Sequence, residues 1–388
     1  MVSIGIHDLS IATAHYVLDH ATLAEHHGVD VNKYLVGLGQ QQMSIVAPDE
    51  DIVTLAAAAA DPIIKRHGSQ KIRTIVIGTE TGVDQSKSAG IWVSSLLGLP
   101  SSARVLEVKQ ACYGATGALQ LALALVHRDP TQQVLVIAAD VARYDLDSPG
   151  EPTQGAAAAA MLVSADPALL RLEEPTGIYT ADIMDFWRPN YRSTALVDGK
   201  ASVTAYMEAA SGAWKDYTER GGRAFGEFAA FCYHQPFTKM AYKAHKQLAA
   251  EAGEDASDAA VQAAVGNTVE YNRRIGNSYT ASLYLALAAL LDQADDLSDQ
   301  PIAMLSYGSG CVAELFAGTV TPGYQQHLRT DQHRAALETR IPLSYEHYRR
   351  LHNLTLPTNG NHHSLPVETS RPFRLTAISE HKRMYGAV

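Results

Sequence analysis

The chain is 388 residues long, with 31 Lys and Arg against 41 Asp and Glu, so its formal charge is −10 with histidine neutral. Hydrophobic residues make up 46% and charged residues only 19%, which excludes a disordered chain, and the net negative charge argues against a broad nucleic-acid-binding surface. Three cysteines cannot close a disulfide framework, so free thiols in a reducing, cytoplasmic compartment are expected.

The opening residues carry His and Asp where a signal peptide has a basic region and an apolar run, and none is expected here. No apolar stretch reaches the roughly 20 residues of a membrane span. In chain order, β-like runs lie at 74–78, 103–108, 134–138 and 156–163, with a long Ala/Leu helix from the second run to about Val126. Runs apolar at every position suit strands buried on both faces by helices. The alanine tracts at 56–60 and 156–160 then read as close-packing surfaces rather than low complexity.

The second half repeats the pattern. A strand at 228–233 precedes helices at about 237–251, 261–273 and 279–291. Strands at 302–306 and 311–316 flank YGSG at 307–310, a glycine-turned hairpin. Residues 354–371 are polar and turn-rich, which predicts a long surface loop before a last strand, FRLTAI. The alternation gives an α/β fold of two halves meeting near 165–175.

Cys232 and Cys311 sit in apolar runs, the environment of inert packing thiols. Cys112 lies at a strand-to-helix junction in KQACYGATGA, where a helix N-terminus is expected to lower the thiol pKa. Position alone leaves it open whether this cysteine is structural or catalytic. His234 follows the apolar run at 228–233 within HQPFTKM, and Glu80 follows a strand within GTETG; a core histidine and a solvated carboxylate are the plain alternatives. The histidines beyond residue 325 lack the companion spacing of a metal site, and no metal is expected.

Together these segments resemble 3-hydroxy-3-methylglutaryl-CoA synthase, a family of thiolase-fold condensing enzymes. The matching motifs run in order: NKYLVGLGQ at 32–40, GTETGVD at 78–84, KQACYGAT at 109–116, GEPTQGA at 150–156, DFWRPN at 185–190, HQPFTKM at 234–240, GNSYTASLY at 276–284 and SYGSG at 306–310. The resemblance implies a layered α-β-α-β-α architecture of two similar halves, 1–168 with Glu80 and Cys112 and 169–388 with His234 and Asn277. The tail beyond about 325 matches poorly.

By the same resemblance, Cys112 is the nucleophile acetylated by acetyl-CoA and Glu80 the base that deprotonates the acetyl methyl. His234 binds the carbonyl of acetoacetyl-CoA, with Asn277 orienting that substrate, and the backbone amides of Cys112 and Ser309 stabilise the thioester oxyanion. Tyr144, Thr153, Gly155 and Asp185 fall in pocket-lining motifs. Lys239, Lys243 and Lys246 share one helix face and, with Lys33, form an expected grip for the CoA phosphates. The expected partners are CoA thioesters and a second copy of the chain, with no other cofactor.

The rivals are a ketoacyl synthase-type condensing enzyme, which needs no carboxylate base; a cysteine hydrolase working through Cys112 and His234; and a non-catalytic acyl-CoA-binding protein.

Overall fold

A computed structural model describes residues 2–388. Ten strands form one mixed sheet: β1 (Ile4–Thr13), β2 (Ile72–Gly78), β3 (Arg104–Val108), β4 (Gln133–Ala142), β5 (Gly155–Ala165), β6 (Leu170–Leu172), β7 (Gly177–Thr180), β8 (Ala230–Tyr233), β9 (Pro301–Gly308) and β10 (Val312–Val320). Five helices concern the argument: α1 (Ile52–His67), α2 (Gly114–Arg128), α3 (Gly199–Glu219), α4 (Lys239–Ala252) and α5 (Ser282–Gln293).

The sheet reads outward in the same way from a central seam, where β1 and β6 pair antiparallel through Gly5–Arg171 and Ile6–Leu170. On one side β1 is antiparallel to β5, β5 antiparallel to β4, and β4 parallel to β2. On the other side β6 is antiparallel to β10, β10 antiparallel to β9, and β9 parallel to β8. The first half carries one strand more at its rim, β3, parallel to β2.

Alternate residues of each strand face different layers, which is why the strand sequences are apolar throughout. Val134, Val136 and Ala138 of β4 pack with α2, α5 and Ile302 and Met304 of β9 in one central core. Leu135, Ile137 and Ala139 face the other way, onto α1. Ala303 and Leu305 of β9 face α3 and α4. The two half-sheets therefore enclose α2 and α5, with α1 outside one and α3 and α4 outside the other, giving five layers. The alanine tract divides accordingly: Ala157 and Ala159 meet the central helices, while Ala156, Ala158 and Ala160 meet the α1 side. Every residue of α5 from Ser282 to Leu291 is buried, as a helix sandwiched between sheets requires.

Three sequence expectations are corrected. The helix expected over 261–273 is two short helices, Asp258–Val265 and Glu270–Ile275, separated by a 3-10 turn at Gly266–Thr268. The strand beginning at Phe373 is not the last: Phe373–Ser379 turns back into Lys382–Ala387. The polar stretch before it is a strap rather than a free surface loop. Asp49, fully buried, accepts the amides of Glu368 and Thr369 and pairs with Arg374 Nε at 3.0 Å. Asp51, which caps the N-terminus of α1, also accepts Arg383 at 2.9 Å and Tyr385 at 2.7 Å. The polar composition of the tail thus serves ionic docking onto the first half.

Removing one member of a buried pair leaves the other charge uncompensated. Arg374→Ala should therefore destabilise the protein by about 3 kcal/mol, read as a lower midpoint in denaturant unfolding. An unchanged midpoint would show that the strap contributes nothing to stability.

Candidate active site

The repeated halves bring equivalent connections to one place. Glu80 lies two residues beyond β2, and His234 directly follows β8, the strand in the same position of the other half. Cys112 precedes α2, and Asn277 lies in the turn before α5, its counterpart. The convergence depends on two glycines. A Cβ on Gly78 would stand 2.4 Å from the backbone of Ala115, and one on Gly308 would stand 2.5 Å from the carbonyl oxygen of Gln110. Both strand ends pass directly beneath the turn that carries Cys112. Ala111, just before the cysteine, is held at φ +42°, a conformation disfavoured for a residue with a Cβ.

The Cys112 thiol donates to Glu80 Oε1 at 3.2 Å. The expectation that a helix N-terminus lowers its pKa is overturned. Burial, then the Glu80 charge and hydrogen bond, raise it well above the ordinary thiol value, with Asp140 and Asp185 adding to the effect. Low dielectric and nearby anions outweigh the partial charge of the helix end. Glu80 is pushed up to about 8, first by burial and then by Asp140, against the lowering influence of Cys112 and Arg188. At neutral pH the thiol therefore keeps its proton and Glu80 is mostly protonated, becoming the ionised base as the pH rises through about 8.

His234 is buried and its pKa is pushed down to about 3, by burial, so the ring is neutral. Its Nδ1 is buried without a hydrogen-bond partner. An unpaired buried N–H costs more than an unpaired lone pair, so the proton belongs on Nε2, where it can be donated. Asn277 Oδ1 accepts the amide of Tyr279 at 2.9 Å, which leaves its NH₂ as a donor.

Cys112, His234, Asn277, Tyr144, Thr153 and Ser309 line one cavity of about 350 Å³, whose apolar walls include Phe186, Tyr206 and Met240. Glu80 reaches Cys112 from an adjoining polar cleft of about 860 Å³, lined also by Lys87, Lys109 and Arg188. Gly155 and Asp185 stand behind the cavity. A Cβ on Gly155 would meet the carbonyl oxygens of Ile275 and Asn277 at 2.5 and 2.7 Å. Asp185 is fully buried, accepting Tyr307 at 2.8 Å and the amide of Gly310 at 3.1 Å, and so fixes the loop that presents Ser309.

The lysines divide. Lys243 lies over the ring of Phe237, a cavity residue, with its ammonium 5.6 Å from the centroid, and Lys239 lies at the same distance over Tyr242. Lys33 is exposed on the short helix Asn32–Leu35, and the Lys239 amide donates to Leu38, a cavity residue, at 2.8 Å. Lys246 is paired with Asp258 at 2.9 Å and leaves the expected grip.

Sequence reasoning missed Asp140, on β4. Fully buried, its Oδ1 accepts from Thr79, Thr81 and the amides of Glu80 and Thr81 at 2.6–3.0 Å. Its Oδ2 accepts from the amide and hydroxyl of Thr280, three residues after Asn277, at 3.0 and 2.5 Å. An aspartate inside the otherwise apolar run VLVIAADVA was the available signal.

A layered fold of two similar halves, with a cysteine, a carboxylate and a histidine meeting at the ends of equivalent strands, defines a condensing enzyme of the thiolase-like class. The comparisons are narrower. Residues 2–168 match the family described as hydroxymethylglutaryl-coenzyme A synthase N terminal, and residues 172–263 and 245–356 match its C-terminal counterpart, which corrects the expectation that the match fades beyond about 325. The hydroxymethylglutaryl-CoA synthase of Enterococcus faecalis is 40% identical over 385 residues, 99% of this chain and 100% of the relative. A crystal structure of an HMG-CoA synthase complexed with CoA superposes with a TM-score of 0.94 at 39% identity, covering all of both chains. The synthase from curacin biosynthesis, in complex with a holo donor acyl carrier protein, gives 0.93 at 30% identity over the full length of both. The chain belongs to the hydroxymethylglutaryl-CoA synthase family.

The Asp140 charge helps to hold the Glu80 carboxyl near 8, so its removal should lower that value. In Asp140→Asn, the rising limb of the condensation pH profile should move to lower pH. Turnover should fall by on the order of 10²-fold as the Glu80 and Thr280 turns lose their anionic acceptor. A pH–rate profile over pH 5–10 checks both; an unmoved limb would separate Asp140 from Glu80.

Proposed function

We propose that the protein condenses acetyl-CoA with acetoacetyl-CoA and water to give 3-hydroxy-3-methylglutaryl-CoA and CoA, the step that feeds mevalonate and isoprenoid synthesis. The observation that carries this reading is the thiol–carboxylate contact between Cys112 and Glu80, in a cavity shared with a neutral histidine. A decarboxylating ketoacyl synthase has no use for that base, and a hydrolase has none for a carboxylate pressed against its nucleophile.

The Cys112 sulfur attacks the carbonyl of acetyl-CoA; CoA leaves with a proton and an acetyl thioester remains. Glu80 removes a proton from the acetyl methyl, and the thioester carbonyl takes up the charge against the amides of Cys112 and Ser309. The resulting carbon nucleophile attacks C3 of acetoacetyl-CoA. His234, neutral and donating through Nε2, hydrogen-bonds the C3 oxygen as it becomes an alkoxide and assists its protonation, while Asn277 orients the substrate. Water then attacks the Cys112 thioester, the C–S bond breaks, and the thiol recovers its proton as the free carboxylate departs.

Tyr144 and Thr153 shape the cavity, and Gly155 and Asp185 hold its walls in place. Lys33, Lys239 and Lys243 meet the CoA phosphates at its mouth, and the thioesters serve as substrates with no further cofactor. The unpaired outer edge of β3, beside the polar cleft, fits a second copy of the chain, so the working form is a homodimer. Among the described residues no helix is long and apolar enough to cross a membrane, and the three thiols are unbonded, in keeping with a cytoplasmic enzyme.

Adding acetyl-CoA should deplete the absorbance of acetoacetyl-CoA with wild type and not with Cys112→Ala. Glu80→Ala should still form an acetyl adduct on Cys112 by intact mass while condensation drops by 10²-fold or more. Normal condensation in Glu80→Ala, or no acetyl-CoA-dependent depletion in the wild type, would overturn the assignment.

A further inference from the structure

Behind the cavity wall lies a cluster that the condensation chemistry does not use. His27 closes the helix His20–His27, and Asp147 and Glu151 flank the turn that leads into Thr153. One ligand atom from each of these three residues falls within 4.8 Å of the others. His27 Nε2 stands 3.8 Å from Asp147 Oδ1 and 3.5 Å from Glu151 Oε2, and it is buried with no hydrogen-bond partner. Among the described residues this is the one grouping of at least three such side chains with that spacing.

His27 and Glu151 are each held through the atom turned away from the cluster, as metal ligands are by their outer partners, whereas Asp147 is held through both of its oxygens. His27 Nδ1 meets the Tyr34 hydroxyl at 2.9 Å, so a proton on Nδ1 leaves the Nε2 lone pair directed at the carboxylates. Glu151 Oε1 accepts the Tyr348 hydroxyl at 2.8 Å, and Oε2, on the His27 side, accepts the Asp147 amide at 2.5 Å with a second lone pair still open. Arg349 donates to Asp147 Oδ1 at 2.9 Å and to Oδ2 at 3.1 Å, which fixes the carboxylate's direction and leaves the second lone pair of Oδ1 facing His27. A divalent cation about 2.0–2.1 Å from a nitrogen and two oxygens in tetrahedral array sets them about 3.3 Å apart. The observed 3.5 and 3.8 Å from His27 lie a little above this, and the two carboxylate oxygens are within 4.8 Å of each other.

We propose that His27, Asp147 and Glu151 form a binding site for a divalent transition-metal ion of the zinc class. One imidazole and two carboxylates suit a borderline ion better than calcium or magnesium, which favour all-oxygen shells. The ion takes no part in the condensation. It joins the end of the His20–His27 helix to the 147–151 turn, whose flanking residues Tyr144 and Thr153 line the cavity, and so braces that wall.

The test uses full-length protein stripped with chelator and titrated with Zn²⁺ by calorimetry and with Co²⁺ by its visible absorption. Wild type should take up one equivalent that His27→Ala loses or binds at least about 10-fold more weakly, and Tyr34→Phe should weaken it by about 10-fold. The chain has sixteen histidines, so only the difference between wild type and His27→Ala counts. His27 is partly exposed at a helix end, and circular dichroism confirms that the variant is folded. Identical isotherms and spectra for wild type and His27→Ala would overturn the proposal, whatever the enzyme's activity.

Discussion

The site depends on one buried carboxylate. Asp140 lies near the C-terminal end of β4, a strand covered on both faces, where an ionised group is costly unless it is fully hydrogen-bonded. Burial pushes its pKa up, and hydrogen bonds from Thr280, Thr81 and Thr79 act against that. Those donors come from both halves of the molecule. One oxygen gathers the turn that carries Glu80, and the other holds the turn just after Asn277. The carboxylate therefore fixes two strand-end turns relative to each other, and its charge also raises the proton affinity of Glu80. Position and chemistry are set by the same group.

The second constraint is space. The turn bearing Cys112 passes over the ends of β2 and β9, and it can do so only because Gly78 and Gly308 have no side chains. The alanines of β5 play a similar part on a larger scale, letting α2 and α5 lie between two half-sheets without separating them. The abundance of small residues and the scarcity of charge have one cause: a five-layered core with few places for long or ionised side chains. Two of the buried charges, Asp49 with Arg374 and Asp140 with its hydroxyl donors, join segments far apart in sequence.

Much of this was legible in the sequence, because strands buried on both faces are apolar at every position. The runs at 74–78, 134–138 and 156–163 stand where they were expected, within β2, β4 and β5. Cys112, Glu80 and His234 stand out at the ends of such runs, but their roles follow only from the resemblance of the motifs around them. What could not be read was electrostatic balance. A helix N-terminus suggested an acidic thiol, yet the pKa depends on how deeply the sulfur is buried and which anions face it, and these are properties of the fold. Asp140 was passed over because its partners are 60 and 140 residues away. Lys246 was grouped with its neighbours by helical spacing, which carries no information about the Asp258 that captures it. The docking of the tail on Asp49 and Asp51 was likewise hidden, since a strap held by ion pairs and a free polar loop have the same composition.

The central claim is that Cys112 rests as a protonated thiol against the Glu80 carboxyl group and is not a pre-formed thiolate. The pH dependence of Cys112 alkylation by iodoacetamide, followed by mass in wild type and Glu80→Gln, tests it directly. The thiol in wild type should react sluggishly at neutral pH, with a midpoint above the ordinary cysteine value of about 8.5. Neutralising the neighbouring carboxylate should shift that midpoint to lower pH. Rapid alkylation of the wild type at pH 7, or a midpoint that stays in place or rises in Glu80→Gln, would contradict the account.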